Sequence, residues 1–248
     1  MPWCDNLPWE RLRARVRLLP GLCPPVSDSC LVCRGPVGPG HSRCCQCTRH
    51  RAAGRALLAD AVVPVSYAVR GSAFAGDLWR YKACHASDAA VRTSMLALAL
   101  VFLHDHGPCA WRAAGMPAPD LLAVVPSGYG RPGAHPLLRL VAPYLRLPSA
   151  RLVLRPEEQG RGLNVDRFAA DESAAGANVL LLDDTWVSGG SVQSAAAALK
   201  RAGATRVAAV VLGRHVNPDD PGNAALLTAI GWPGGRTGYD PAKCAICG

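Results

Sequence analysis

Apolar positions along this 248-residue chain fall into two kinds of block. Ala61 to Tyr67, Leu121 to Val125, Arg151 to Leu154, Val179 to Leu182 and Val207 to Leu212 are short runs rich in apolar or β-branched residues, which read as strands. Phe74 to Tyr81, Ala89 to Leu103, Pro136 to Leu147 and Val192 to Arg201 carry apolar residues at helical spacing. Strands that are apolar on both sides and alternate with helices imply a parallel sheet covered on both faces. The predicted fold class is therefore α/β. The body is expected over residues 56–221, preceded by a basic, cysteine-rich head at 1–52 and followed by a tail at 222–248. Trp9 to Leu19 mixes arginines with Leu12, Val16, Leu18 and Leu19. It reads as a short amphipathic helix packed on the body, ended by Pro20, Pro24 and Pro25.

One strand is followed by chemistry. Val179–Leu182 leads into Asp183 and Asp184, then Thr185-Trp186-Val187-Ser188-Gly189-Gly190-Ser191, then a helical stretch capped by Gly203. Ligands of an open parallel sheet bind beyond the carboxyl ends of its strands, where this acidic pair is delivered. Ser188, Gly189, Gly190 and Ser191 offer backbone N–H groups at a helix N-terminus, which favours a phosphate. Carboxylates repel phosphate, so the ligand should be bipartite. Hydroxyls or a metal ion would face the acids and a phosphate would sit in the loop, as in a ribose 5-phosphate.

Charge and cysteine content refine the picture. Lys and Arg total 27 against 18 acidic residues, a net charge of +9. That suits phosphorylated small molecules, and also predicts weak, salt-sensitive attraction to single-stranded DNA. Aromatic residues make up only 6% and do not interleave with the basic ones, which argues against a base-stacking platform. The N-terminus has no apolar export signal, and the longest apolar run, Met95 to Leu103, is too short to span a bilayer. A cytoplasmic protein with no membrane partner is expected.

In such a protein, C-x-x-C pairs point to metal more than to disulfides. Cys30 and Cys33, with Cys44 and Cys47, make two knuckles around a Gly- and Pro-rich turn and predict one structural zinc. Pairing Cys45 with Cys47 stays open, but strains the knuckle. Cys244 and Cys247 form a third pair. They could be a loose reduced tail, replace one knuckle, or bind a second zinc with Cys23 or Cys4.

The strand–acid–loop–helix run resembles the 5-phosphoribosyl-1-pyrophosphate (PRPP) motif of type I phosphoribosyltransferases, D-D-x-x-T-T-G-x-T. Asp183, Asp184, Ser188, Gly189 and Ser191 match when serine counts for threonine. Val187 departs, removing one hydroxyl that Thr185 or backbone amides would have to replace. Leu78-Trp-Arg-Tyr-Lys82 is similar to the K-Y-K segment of the ComF/GntX-like (competence protein F) phosphoribosyltransferases, which carry an N-terminal zinc finger. Pro126 to Gly133, containing Arg131, is similar to that family's V-P-x-P stretch. Its R-G-F-N sequence is absent there, although Arg161-Gly-Leu-Asn164 occurs later.

The resemblance implies a type I phosphoribosyltransferase fold and Mg²⁺-dependent use of PRPP. Asp183 and Asp184 would be catalytic. Thr185, Ser188, Gly189, Gly190, Ser191, Lys82 and Arg131 would bind substrate, and the acceptor would be an unidentified base or amine. No general base stands out, and His85, His104, His106, His135 and His215 read as structural. The competing readings are a catalytically silent accessory protein of DNA uptake or nucleic-acid metabolism, and a PRPP sensor.

Overall fold

The computed structural model describes residues 7–17, 19, 29–82, 88–127, 134–155, 157, 160, 162–234 and 239–247. In chain order its elements are α1 (Trp9–Val16), α2 (Cys45–Gly54), β1 (Ala61–Val69), α3 (Ala73–Arg80), α4 (Ala89–Ala114), β2 (Leu121–Val124) and α5 (Pro136–Leu145). They continue with β3 (Leu152–Leu154), β4 (Phe168–Ala170), β5 (Asn178–Trp186), α6 (Gly190–Arg201), β6 (Arg206–Val216) and α7 (Ala224–Ala229). The two-sided apolar strands form a parallel sheet in the order β1-β6-β5-β2.

Strand alternation divides the core into two layers. Leu122, Val124, Leu180, Leu182, Val210 and Leu212 pack on one face with α4 and α5. Leu121, Ala123, Val179, Leu181, Val207 and Val211 pack on the other. There α6 contributes the small residues Ala195, Ala196 and Ala198, which let helix and sheet approach closely. Burying both faces is what makes the parallel arrangement stable. The fold class is thus α/β, a parallel sheet with helices on both sides.

Three departures from the sequence reading have a clear physical reason. The run at Arg151–Leu154 does not join the main sheet. Leu152–Leu154 pairs antiparallel with β4 in a separate two-stranded ribbon. Val153 is 44% exposed, so this strand lacks the two-sided burial that a central parallel strand needs.

The strand expected at Val179–Leu182 continues through both acids to Trp186, because β6 pairs with it as far as Trp186↔Arg214. The helix expected to stop at Leu103 runs on to Ala114, through Pro108, and ends at Gly115 in the left-handed conformation (φ 70°). Its polar middle is held by partners distant in sequence. Asp105 accepts from Arg13 at 2.6 Å and from the Tyr239 hydroxyl at 2.9 Å.

Both ends of the chain are fastened to α4. Val16 of α1 is fully buried, and Leu7, Trp9 and Leu12 pack against the same core layer. Arg15 donates to Ser94 Oγ at 3.0 Å and to the Ala90 carbonyl at 2.6 Å. Arg13 and Arg15 therefore serve helix packing. From the other end, Leu226, Leu227, Tyr239, Cys244 and Ala245 are buried in that layer as well. No helix among the described residues is long and apolar enough to cross a membrane.

Candidate functional site

Asp183 and Asp184 are consecutive residues of β5, so alternation sends them to opposite faces of the sheet. Asp184 shares its side with Leu180 and Leu182, and three donors from the ends of two helices converge there. The Tyr81 hydroxyl, at the C-terminal cap of α3, donates to Asp184 Oδ2 at 2.7 Å. Lys82 Nζ pairs with the same oxygen at 2.7 Å. His135, the N-cap of α5, brings Nε2 to 3.7 Å. Because His135 Nδ1 accepts the Leu137 N–H at 3.2 Å, its proton belongs on Nε2, facing the carboxylate.

Asp183 has a poorer environment. Burial, and then the neighbouring Asp184 charge, push its carboxyl well above the usual carboxylate range. Lys82 and the backbone N–H groups of Asp184 and Thr185 pull the other way. One of those bonds, from Asp184 N–H to Asp183 Oδ1, is 2.8 Å long. A buried carboxylate held against its own solvation is a feature of functional sites more than of cores.

The loop that follows turns sharply into α6. Gly189 adopts φ 83°, and a Cβ there would lie 2.1 Å from Cζ2 of Trp186, which is itself buried. No side chain fits while the indole stays. Ser188 Oγ accepts the Gly190 N–H at 3.4 Å and so helps to hold the turn. Thr185 is half-buried on β5, whereas Val187, which replaces a threonine of the motif, is 60% exposed. Gly189→Ala should destabilise the protein by roughly 1–3 kcal/mol through the left-handed backbone and the clash with Trp186. Urea denaturation measures this, and an unchanged midpoint would show that the turn is not needed.

The structure thus brings together Asp183, Asp184, Thr185, Lys82 and the Ser188–Ser191 turn. Arg131 and Arg161 lie outside the described residues. At the end of the Arg161–Asn164 stretch, the Asn164 N–H donates to Ser194 Oγ on α6 at 2.9 Å.

Four neighbours were not singled out from sequence. Tyr81 sat unassigned within the quoted W-R-Y-K segment, and His135 carried no local signal. Arg167 is only 5% exposed, and its Nη1 donates to Ser191 Oγ at 3.3 Å. It has no carboxylate partner among the described residues, and burial lowers its pKa. Arg214 on β6 donates to the carbonyls of Trp186 at 3.4 Å and Val187 at 3.2 Å.

The head reaches this loop through Arg214, whose guanidinium sits where a Cβ on Gly35 would lie (2.3 Å from Nη2). The sulfurs of Cys30, Cys33, Cys44 and Cys47 all lie within 4.8 Å of one another, and Cys33 and Cys44 are 3.7 Å apart. A tetrahedron with metal–sulfur bonds of about 2.3 Å has edges of about 3.8 Å, so this set can hold a metal ion. Cys45 is exposed and outside the cluster. Cys244 and Cys247 are elsewhere, beside His106 and Cys109 of α4. The partners considered from sequence, Cys4 and Cys23, lie outside the described residues.

Among known proteins, the orotate phosphoribosyltransferase of Levilactobacillus brevis is 35% identical over 80 residues, 32% of this chain. The chain spans about a third of that relative's length (36%). No family model matches. A solved structure titled as the allosteric regulatory enzyme of purine biosynthesis overlaps 58% of this chain and 39% of its own, at 14% identity and a TM-score of 0.30. The purine phosphoribosyltransferase from Pyrococcus horikoshii Ot3 overlaps 51% of this chain and 90% of its own, at 14% identity and a TM-score of 0.29. Overlaps that low carry no weight. The sequence similarity is of phosphoribosyltransferase type.

Proposed function

We propose that the protein binds PRPP with Mg²⁺ and transfers its ribose 5-phosphate to a nitrogen acceptor, releasing pyrophosphate. One observation carries this reading. The buried acidic pair of β5 stands between a cation drawn from elsewhere, Lys82, and a glycine turn that opens α6. Hydroxyl-binding acids, a diphosphate-binding cation and a phosphate-binding helix end are the three requirements of PRPP. The similarity to an orotate phosphoribosyltransferase supports the same class.

In this mechanism Asp183 and Asp184 hold the ribose 2- and 3-hydroxyls. They also stabilise the positive charge that develops on the ring as the bond from C1 to diphosphate breaks. Gly189, Gly190 and Ser191 hold the 5-phosphate with backbone N–H groups, Ser188 and Thr185 add hydroxyls, and Arg167 supplies the positive charge behind Ser191. Lys82, released from Asp184, stabilises the departing diphosphate. Magnesium, when bound, screens the diphosphate charge, and the two carboxylates are the hard oxygen donors suited to it. Tyr81 and His135 keep Asp184 aimed. In the head, Cys30, Cys33, Cys44 and Cys47 would hold a structural zinc, as in the ComF/GntX-like enzymes. A cytoplasmic location fits such an enzyme.

Isothermal calorimetry with PRPP and Mg²⁺, followed by a pyrophosphate-release screen over bases and amines, tests the proposal. Binding at micromolar to millimolar PRPP and turnover with at least one acceptor are expected. No heat at millimolar PRPP would end the reading. Binding without turnover across the screen would favour the sensor.

A basic surface away from this site is where we infer that the weak single-stranded DNA binding expected from the net charge would fall. A cavity of ≈ 730 Å³ at the start of β1 is lined by Arg43, Arg51, Arg55, Lys200 and Arg206. Asp60 pairs with Lys200 and Arg206, at 2.7 and 3.1 Å. Arg55 and Arg43 lower the pKa of Arg51, as expected for like charges without an acid between them. Single-stranded DNA binding, if measured, should map here and fall steeply with salt.

A further inference from the structure

We propose that His106, Cys109, Cys244 and Cys247 form a second zinc site, which locks the C-terminal segment onto α4. The four ligand atoms lie within 4.8 Å of one another. Cys244 Sγ is 3.4 Å from Cys247 Sγ, which in turn is 3.7 Å from His106 Nδ1. Those separations are close to the edge of a zinc tetrahedron, about 3.8 Å between sulfurs and slightly less to nitrogen. Three thiolates and one imidazole form a common closed structural set.

Two features set this cluster apart from cysteines that merely meet. First, His106 and Cys109 are three residues apart on one helix, so both point from the same face, and the tail delivers its C-x-x-C pair to that face. Second, the tail is already folded as a metal knuckle. The backbone N–H groups of Ile246 and Cys247 donate to Cys244 Sγ at 3.3 and 3.4 Å. Such bonds stabilise a thiolate, the form that binds metal. The same backbone bond, from the second cysteine to the first sulfur, occurs in the Cys30/Cys33 and Cys44/Cys47 knuckles.

The site also meets a structural need. Cys244 and Ala245 are fully buried, yet beyond α7 the segment has no helix or strand among its described residues. Apart from packing, its described residues are held by the Tyr239–Asp105 hydrogen bond, by Arg34, which donates to the Ala245 carbonyl, and by the Cys247–His106 contact. A metal joining the tail to α4 adds folding free energy there. Arg34 directly follows Cys33, so the tail also braces the first cluster. The site is independent of the PRPP reading.

Elemental analysis of the full chain, purified without chelator, should give two zinc ions. Cys109→Ser and Cys247→Ser should each leave one, Cys33→Ser should leave the other, and the Cys33→Ser/Cys109→Ser double variant should leave none. His106→Cys should keep both, since it exchanges one zinc ligand for another. A measurement on the unaltered protein guards against variants that fail to fold. Alkylation mapped by mass spectrometry should find Cys109, Cys244 and Cys247 protected until a chelator is added. One zinc per chain, lost in Cys33→Ser and kept in Cys109→Ser, would overturn the proposal. Equal alkylation of Cys109, Cys244 and Cys247 before and after chelator would do the same.

Discussion

Cys33→Ser should lower the melting temperature by about 10 °C or more and weaken PRPP binding, although Cys33 is not one of the proposed substrate-binding residues. Zinc ligation by a small domain contributes folding free energy on the order of 10 kcal/mol, and a loss of a few kcal/mol moves a domain of this size by about that much. The cost does not stay in the head, because Cys30, Cys33 and Cys47 belong to the same core layer as α6 and Val211. Without a metal the four sulfurs have only each other. Hydrogen bonding among them lowers the pKa of Cys30 and raises that of Cys47. The effect reaches the phosphate loop through Arg214, which rests on Gly35 and holds the carbonyls of Trp186 and Val187. Cys45→Ser, at an exposed sulfur, should melt like the parent. Differential scanning calorimetry with PRPP titration separates the two. A Cys33→Ser protein with parental melting and affinity would remove metal from the account of the head.

The strands were legible because two-sided burial leaves an unmistakable apolar run, and the helices because their faces repeat. What failed is instructive. The polar stretch His104 to Gly107, followed by Pro108, reads as a helix end. The helix continues because Arg13 and Tyr239 satisfy Asp105 from opposite ends of the chain. The two acids read as the end of β5, yet pairing to β6 carries the strand two residues beyond them, to Trp186↔Arg214. Local pattern cannot register a partner supplied by tertiary structure.

The same limit explains the candidate site. The acidic pair and glycine turn are contiguous, and their chemistry is visible in order. The residues that orient Asp184 are not contiguous with it. Tyr81 is 103 positions away, and His135 stood among histidines with no distinguishing neighbour. Likewise, the tail cysteines announced a metal pair, but Cys247 and His106 are 141 positions apart. Only the fold of α4 against the tail brings them together. Half-sites are readable in sequence, and their completion depends on topology.

The two acids should separate sharply when each is neutralised. Asp183→Asn should raise stability at neutral pH while reducing PRPP affinity about 100-fold, equivalent to about 3 kcal/mol. The amide preserves an acceptor for the Asp184 N–H and removes a charge that is buried beside a second carboxylate. A carboxyl whose pKa is raised on folding binds its proton more tightly in the native state, so ionising it costs stability as pH climbs above the unfolded value of about 3.9. The stabilisation given by asparagine should therefore be greatest at neutral or higher pH and shrink as pH falls toward 4. Asp184→Asn should act in the opposite direction. It leaves Lys82 and Tyr81 facing a neutral amide in place of the carboxylate they share, and should cost roughly 1–3 kcal/mol as well as binding. Functional sites commonly hold such charges at the expense of stability. Urea denaturation at pH 7.5 and pH 5, with calorimetric PRPP titration of both variants, decides the matter. If Asp183→Asn were less stable than the parent at pH 7.5, its carboxylate would be a structural group, and if it bound PRPP undiminished, the acid that contacts ribose would have to be Asp184 alone.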